Sequence, residues 1–210
     1  VESSAAPVGA TVAWVFNAKG VRNVWIAQGP DFTARQLTDF DTDDGQEITG
    51  LTWTPDATSI LFVRGGPPNS RGEIPNPRTV ALGVEREIWI APITGGDSRN
   101  IVTGHSPVVA RDGKSILYIE NNTVWMRALS TNEEPERVLK ARGGIGSLRL
   151  APDGSKFAFV SNRGDNAYVG VFDLASKQVT WLAPSLDRDS EPVWSPDSTR
   201  IAFLRMPAQG

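Results

Sequence analysis

The chain has 210 residues, a formal net charge of −3, 21% charged and 40% hydrophobic residues, and no cysteine. This composition is ordinary for a globular protein, and the negative charge provides no general basic surface for nucleic acid. The lack of cysteine excludes disulfides and thiol chemistry. No apolar stretch approaches the roughly 18 residues of a membrane-spanning helix, and the N-terminal VESSAAPVGA lacks the regions of a signal peptide. We therefore expect neither a nucleic-acid partner nor a membrane span.

Five segments of the chain repeat one pattern, in which a turn residue is followed five positions later by an apolar tetrad. The turn residues are Pro7, Pro55, Arg111, Pro152 and Pro196, and the tetrads are 12–15, 60–63, 116–119, 157–160 and 201–204. Proline presets the first corner of a tight turn, and the Asp and Gly that follow in several copies accept the remaining corners. Each segment therefore predicts two strands joined by a tight turn. The tetrads do not alternate between apolar and polar residues, which is typical of strands covered on both faces.

Two further strands follow the first four hairpins. The third strand is centred on Trp25, Trp89, Trp125 or, in the fourth copy, Gly170, and the fourth covers 34–38, 98–103, 136–140 or 178–182. A repeat of four short strands that recurs at intervals of roughly 40–55 residues is typical of β-propeller blades. We predict an all-β propeller of about four and a half four-stranded blades, as one domain over 1–210. The approximate blades are 1–47, 48–104, 105–144, 145–187 and a partial 188–210.

The incomplete last blade has consequences for the fold. Its third and fourth strands are missing, which predicts an incomplete part of a larger propeller; a compact five-bladed ring with a defective last blade is the alternative. The hairpin at 191–204 then exposes a strand edge, so we expect a homodimer through that edge or poor order there. Phe159 and Phe203 are predicted at equivalent buried positions. Trp14, Trp25, Trp89 and Trp125 are predicted to pack in the core.

The motifs WSPDSTRIAFLR and APDGSKFAFVSNRG resemble the propeller repeats of TolB-like proteins and the N-terminal propeller of the prolyl oligopeptidase and dipeptidyl peptidase IV family. The opening stretch VAWVFNAKGVRNVWIAQGPDFTARQLT, followed by DDGQEITGLTWTPD and FVRGG, is more similar to the peptidase family. That resemblance implies a periplasmic or secreted protein. It also implies a C-terminal α/β-hydrolase domain that carries the serine peptidase chemistry.

No catalytic residue is predicted within the chain itself. It has no G-x-S-x-G nucleophile elbow, and its one histidine, His105, stands where a loop enters a blade. The resemblance implies a parent serine peptidase whose propeller gates and positions peptide substrates for the hydrolase domain. A TolB-like periplasmic scaffold for protein–protein interaction is the alternative. The complete reading frame discriminates them, because the first requires a downstream nucleophile elbow and the second a preceding α/β domain.

Three polar segments are candidates for contact with a peptide or a partner domain. The first is an acidic loop with Asp43, Asp44 and Glu47; its spacing does not match a calcium-binding loop, and we predict no metal or cofactor. The second is the long insertion 65–85, in which Arg71 and Arg78 are the candidates. Long loops in compact domains are often functional, and a loop without function is the alternative. The third follows the fourth blade's second strand, at Asn162 and Arg163.

Overall fold

The computed structural model describes residues 2–131 and 133–208, and within them it contains strands and no helix. The strands are β1 (Ser3–Ala5), β2 (Thr11–Ala18), β3 (Val21–Gln28), β4 (Thr33–Gln36), β5 (Ile48–Trp53), β6 (Ser59–Arg64), β7 (Glu87–Pro92), β8 (Arg99–Thr103), β9 (His105–Val109), β10 (Ser115–Glu120), β11 (Thr123–Ala128), β12 (Glu136–Lys140), β13 (Gly144–Leu150), β14 (Lys156–Asn162), β15 (Ala167–Asp173), β16 (Gln178–Trp181), β17 (Arg188–Trp194) and β18 (Ile201–Met206).

The strands are joined in sequence order into antiparallel meanders. The first three sheets are β1–β4, β5–β8 and β9–β12, and a six-stranded sheet contains β13–β16 together with β17 and β18. The last hairpin joins that sheet through one parallel pair, Ala167 with Arg188. The predicted fold class, an all-β propeller arrangement of four four-stranded repeats and one additional hairpin, is confirmed. The strands at the end of the chain, β17 and β18, are formed, and self-association or poor order at this end stays a prediction.

The chain divides into two compact units, residues 1–109 and 110–210, and the boundary falls in the turn between β9 and β10. In the first unit, Ala13, Ile26, Ile60, Phe62 and Ala91 belong to one buried core. In the second unit the rings of Phe157, Phe159 and Phe172 are fully or almost fully buried, and the Phe157 ring contacts the other two. The limits proposed for the individual blades stay a prediction.

The repeated aspartate stabilises the turn between the first two strands of a repeat. The carboxylates of Asp56, Asp112, Asp153 and Asp197 each accept a hydrogen bond, of 2.9–3.1 Å, from the backbone N–H two residues later. The next turn residue has a positive φ and is glycine in two copies, Gly113 and Gly154. Hydrogen bonds from Ser195 and Thr199 lower the pKa of Asp197 to about 2. The turn chemistry predicted from the sequence is therefore present.

One register position of the second strand holds an aromatic residue in all five repeats. The residues are Trp14, Phe62, Tyr118, Phe159 and Phe203. In the first three repeats the residue opposite is Trp25, Trp89 or Trp125 on the third strand. These tryptophans and Trp14 are half-buried rather than fully buried, whereas Trp53 is buried in the core.

Gly170 replaces the tryptophan in the fourth repeat because another indole occupies the space. Phe159 lies opposite Gly170, and a Cβ atom at Gly170 would lie 2.6 Å from the Phe159 ring and 3.0 Å from the ring of Trp181. The Trp181 ring meets the Phe159 ring edge-on with centroids 5.6 Å apart. Phe203 is only half-buried, so the prediction of equal burial for Phe159 and Phe203 was wrong. Among the described strands, β14 is covered by the third strand β15, whereas β18 pairs only with β17.

Candidate functional site

The acidic loop (residues 43–47) and the insertion (residues 65–85) lie at the same end of the second sheet. Arg64 at the end of β6 is opposite both Ile48 at the start of β5 and Glu87 at the start of β7. The acidic loop leads into β5, and the insertion joins β6 to β7. Antiparallel pairing therefore brings two distant segments of the sequence together.

Arginine side chains from neighbouring strands hold the acidic loop. Arg22 on β3 lies 2.9 Å from the Glu47 carboxylate and 3.8 Å from that of Asp43. Arg64 forms an ion pair with Asp44. The Arg64 guanidinium also lies over the Phe40 ring, 3.9 Å from its centroid. The carboxylates of Asp43, Asp44 and Glu47 are thus bound by this chain's own guanidinium groups.

The insertion packs against the acidic loop through Pro77. A Cβ atom on Gly45 would lie 2.4 Å from the Pro77 ring, and Gly45 has a φ of +67°, so glycine is required there on two grounds. Within the insertion, Asn69 and Asn76 form local hydrogen bonds with the backbone. The insertion therefore has defined contacts with itself and with the loop.

Between these two segments lies an open pocket of about 320 Å³, which we call the insertion pocket. It is lined by Asp44, Gln46, Arg64, Arg78, Val80, Gly83, Val84, Glu85 and Glu87. Asp44 and Arg64 neutralise each other, which leaves two glutamates and one arginine. The Nε2 atom of Gln46 is buried without a hydrogen-bond partner. A buried donor of this kind is costly unless an acceptor reaches it.

The two glutamates point to the same side because they are two positions apart on an extended segment. Each is oriented by one hydrogen bond: Thr103 Oγ1 donates to Glu85 at 2.9 Å, and Trp89 Nε1 donates to Glu87 at 3.0 Å. The remaining carboxylate lone pairs are free to accept further hydrogen bonds. The insertion pocket therefore presents carboxylates to an ammonium group and the Arg78 guanidinium to a carbonyl or carboxylate group.

The candidate contact residues predicted in the first unit differ in their positions relative to the insertion pocket. Asp44 and Arg78 line the insertion pocket, whereas Asp43 and Glu47 hold Arg22 beside it. Arg71 is an exposed residue of the insertion and does not line the pocket. Gln46, Arg64, Glu85 and Glu87 were not identified from the sequence. The two-residue spacing of the glutamates at the start of a strand is a signal that could have identified them.

Asn162 and Arg163 lie at the end of β14 in the second unit. The Arg163 guanidinium lies over the rings of Tyr168 and Trp181, at 4.9 and 5.0 Å from their centroids. Its Nε donates to Ser161 at 3.3 Å, and the Asn162 side chain accepts a hydrogen bond from the backbone N–H of Gly164. Both residues therefore make structural contacts at this strand end, and their role in partner binding stays a prediction.

His105 is the first residue of β9 rather than a loop residue, and its surroundings differ from those of a catalytic histidine. Its Nδ1 lies 3.0 Å from Ser106 Oγ. Burial, together with the positive charge of Arg86, lowers the pKa of His105 to about 4. A serine–histidine pair requires an orienting carboxylate, which raises the basicity of the ring. Here the charged neighbour is a cation, so the ring is held neutral and weakly basic.

Residues 2–131 and 133–208 contain no group of three or more histidine, aspartate or glutamate side chains that could hold a metal ion. None of the described segments forms a helix long and apolar enough to cross a membrane.

Comparison with known proteins identifies the fold through structure rather than sequence. No protein-family model matches the chain, and no curated protein matches it. Among solved structures, the chain is similar to TolB from Acinetobacter baumannii, with 21% identity and a TM-score of 0.65 over 96% of this chain. It is also similar to a prolyl endopeptidase, with 14% identity and a TM-score of 0.71 over 98% of the chain.

A third similar structure is a putative dipeptidyl aminopeptidase IV from Bacteroides ovatus, at 9% identity and a TM-score of 0.67 over 96% of this chain. The match spans 48% of the TolB chain, 32% of the prolyl endopeptidase and 36% of the dipeptidyl aminopeptidase. The chain therefore spans about half of TolB and about a third of the two peptidases. Its fold is a TolB-like propeller, as found in TolB and in prolyl oligopeptidase and dipeptidyl peptidase IV family proteins.

Proposed function

We propose that this chain is the non-catalytic propeller segment of a periplasmic or secreted serine exopeptidase of the oligopeptidase family. In this proposal it gates access and positions peptide substrates for an α/β-hydrolase domain that lies outside residues 1–210. Similarity to the propellers of two peptidases supports the proposal, and so does the lack of a nucleophile elbow in the sequence. The insertion pocket is the structural feature that supports the proposed role in peptide binding.

The chemistry of the insertion pocket is complementary to a peptide amino terminus. Glu85 and Glu87 supply acceptors for an ammonium group, and Arg78 supplies a cationic donor for a peptide carbonyl. With Asp44 and Arg64 paired, the excess of one carboxylate favours a ligand that carries a positive charge.

The proposal is tested by titrating the chain with the tripeptide Gly-Pro-Ala, with either a free or an acetylated amino terminus, in a calorimeter. We expect the free peptide to bind and acetylation to weaken binding by about tenfold or more, because a charge-assisted hydrogen bond contributes about 1.5–3 kcal/mol. Glu87→Gln, which keeps an acceptor for Trp89, should weaken binding similarly. Glu133→Gln, at an exposed position in the second unit, is the matched control. Equal binding of both peptides would contradict the proposal.

A TolB-like periplasmic scaffold for protein–protein interaction is the second candidate, and the 21% identity to TolB favours it. The two candidates differ in the rest of the protein. A complete reading frame with a downstream G-x-S-x-G motif and a later histidine supports the peptidase. A preceding α/β domain without a hydrolase supports the scaffold.

A further inference from the structure

The insertion pocket carries unpaired charges of both signs. Asp44 and Arg64 pair with each other, which leaves Glu85 and Glu87 negative and Arg78 positive. None of these three side chains takes part in an ion pair among the described residues. The pocket therefore presents two carboxylates and one guanidinium group to a ligand.

Two hydrogen bonds hold the two carboxylates apart. Glu85 accepts a hydrogen bond from Thr103 Oγ1 on β8, and Thr103 lies opposite Glu87 in the register of the sheet. Glu87 accepts one from the indole of Trp89, two positions further along β7. Both carboxylates thus lean in the same direction along the strand. Their spacing stays at about 7 Å, which is the rise of two residues of an extended chain.

This spacing is too wide for one ammonium group to bind both glutamates. A charge-assisted N–H···O bond is about 2.7–2.9 Å long, so one nitrogen with two such bonds joins oxygens less than about 6 Å apart. A peptide whose first residue is lysine carries two ammonium groups. Across the four-carbon stem of that lysine, the α-ammonium and the side-chain ammonium can lie about 6–7 Å apart. The two carboxylates therefore match an amino-terminal lysine.

Arg78 distinguishes such a peptide from a free polyamine. Its guanidinium group repels a ligand that carries only positive charges, and it attracts the carboxylate at the end of a short peptide. A tripeptide that begins with lysine has two positive charges and one negative charge, opposite in sign to those of Glu85, Glu87 and Arg78. A tripeptide that begins with glycine leaves one glutamate without a partner.

The exposure of the two glutamates indicates which ammonium group each one binds. Glu87 is half-buried, whereas Glu85 is exposed. The α-ammonium is fixed to the peptide backbone, but the lysine ammonium stands at the end of a flexible stem that reaches toward solvent. Glu87 is thus the better partner for the α-ammonium, and Glu85 is the better partner for the side chain. Val80 and Val84 line the same pocket and can contact the apolar stem.

We propose that Glu85 gives the insertion pocket a preference for peptides with an amino-terminal lysine. Glu87 binds the α-ammonium, Glu85 binds the side-chain ammonium, and Arg78 binds a peptide carbonyl or carboxylate group. This inference rests on the proposed peptide-binding function of the pocket. It adds a specificity-determining residue that peptide binding alone does not require.

The preference is tested by calorimetric titration of the whole chain with the tripeptides Lys-Pro-Ala, norleucine-Pro-Ala and Gly-Pro-Ala. Norleucine keeps the apolar stem of lysine and lacks its ammonium group, so this comparison isolates the charge. We expect Lys-Pro-Ala to bind about fivefold or more tightly than the norleucine peptide, a modest factor because Glu85 is exposed to solvent. The difference should shrink at high salt.

Two variants locate the preference. Glu85→Gln keeps an oxygen that can accept the hydrogen bond of Thr103, and it should make the affinities for the lysine and norleucine peptides equal. Asp97→Asn removes the same charge from the exposed turn between β7 and β8, at the opposite end of the second sheet, and should leave the preference unchanged. Urea unfolding checks that both variants fold.

The outcomes separate this inference from the proposed function. If Gly-Pro-Ala binds and the other two peptides bind equally within about twofold, the lysine preference is overturned and the peptide-binding pocket stands. A preference that persists in Glu85→Gln, or that Asp97→Asn abolishes as well, also overturns the role of Glu85. No binding of any of the three peptides would overturn both the preference and the proposed function of the pocket.

Discussion

Phe159 and Phe203 allow the same substitution to be compared at two equivalent register positions. Phe159 is fully buried between Phe157 and Trp181, whereas Phe203 is half-buried beside an open groove. Phe159→Ala removes a buried ring and leaves a cavity, so it should cost about 3–5 kcal/mol of the free energy of unfolding. Phe203→Ala loses less buried area and opens onto existing solvent space, so we expect about 1–2 kcal/mol.

Urea unfolding of the two variants, followed by circular dichroism and tryptophan fluorescence, measures this difference. Coincident transitions in the two probes establish that each variant unfolds in one step. A cost for Phe159→Ala within 1 kcal/mol of the cost for Phe203→Ala would refute the reasoning. It would mean that the fifth repeat is covered as completely as the fourth.

Four further predictions follow from individual sites. Gly170→Ala should destabilise the chain by about 1–3 kcal/mol through overpacking, and a second change, Trp181→Leu, should recover part of this loss in a double-mutant cycle. The folded state holds the pKa of His105 at about 4 instead of 6.5, so the unfolded state binds the proton more readily and stability should fall as the pH decreases from 6.5 to 4. Urea midpoints at several pH values should show a loss of up to about 3 kcal/mol, which is absent in His105→Gln. Gly45→Ala should displace the insertion and speed tryptic cleavage within it, whereas Gly146→Ala, with open space around its Cβ and no positive φ, should not. The purified chain should not hydrolyse dipeptidyl or prolyl chromogenic substrates; turnover that survives a serine-inhibitor control would contradict this.

The strands could be predicted from the sequence almost residue by residue because the signal for each is local. A turn with proline, aspartate or glycine and an apolar tetrad at a fixed offset specify where a hairpin begins and ends. The tetrad at 116–119, for example, lies within β10 (Ser115–Glu120). Gly170 was also placed correctly on the third strand of the fourth copy, which is β15 (Ala167–Asp173). What the sequence did not show is that Trp181, from the next strand, fills the space.

The insertion pocket was only partly predictable because it depends on packing between segments that are distant in sequence. Asp44 and Arg78 were identified as polar residues in unusual loops. Gln46, Glu85 and Glu87 become significant only when antiparallel pairing brings the ends of β5, β6 and β7 together. The ion pairs of the acidic loop were missed for the same reason, since Arg22 and Arg64 are on strands whose neighbours the charge pattern does not reveal.

Peptide recognition at the insertion pocket is tested most directly by an amide NMR titration of the chain with free Gly-Pro-Ala. We predict saturable shifts concentrated at Gln46, Arg64, Arg78, Glu85 and Glu87, and their loss in Glu87→Gln. Saturable shifts confined to residues outside the insertion pocket, or no saturable shifts at all, would contradict a peptide-positioning role for this pocket.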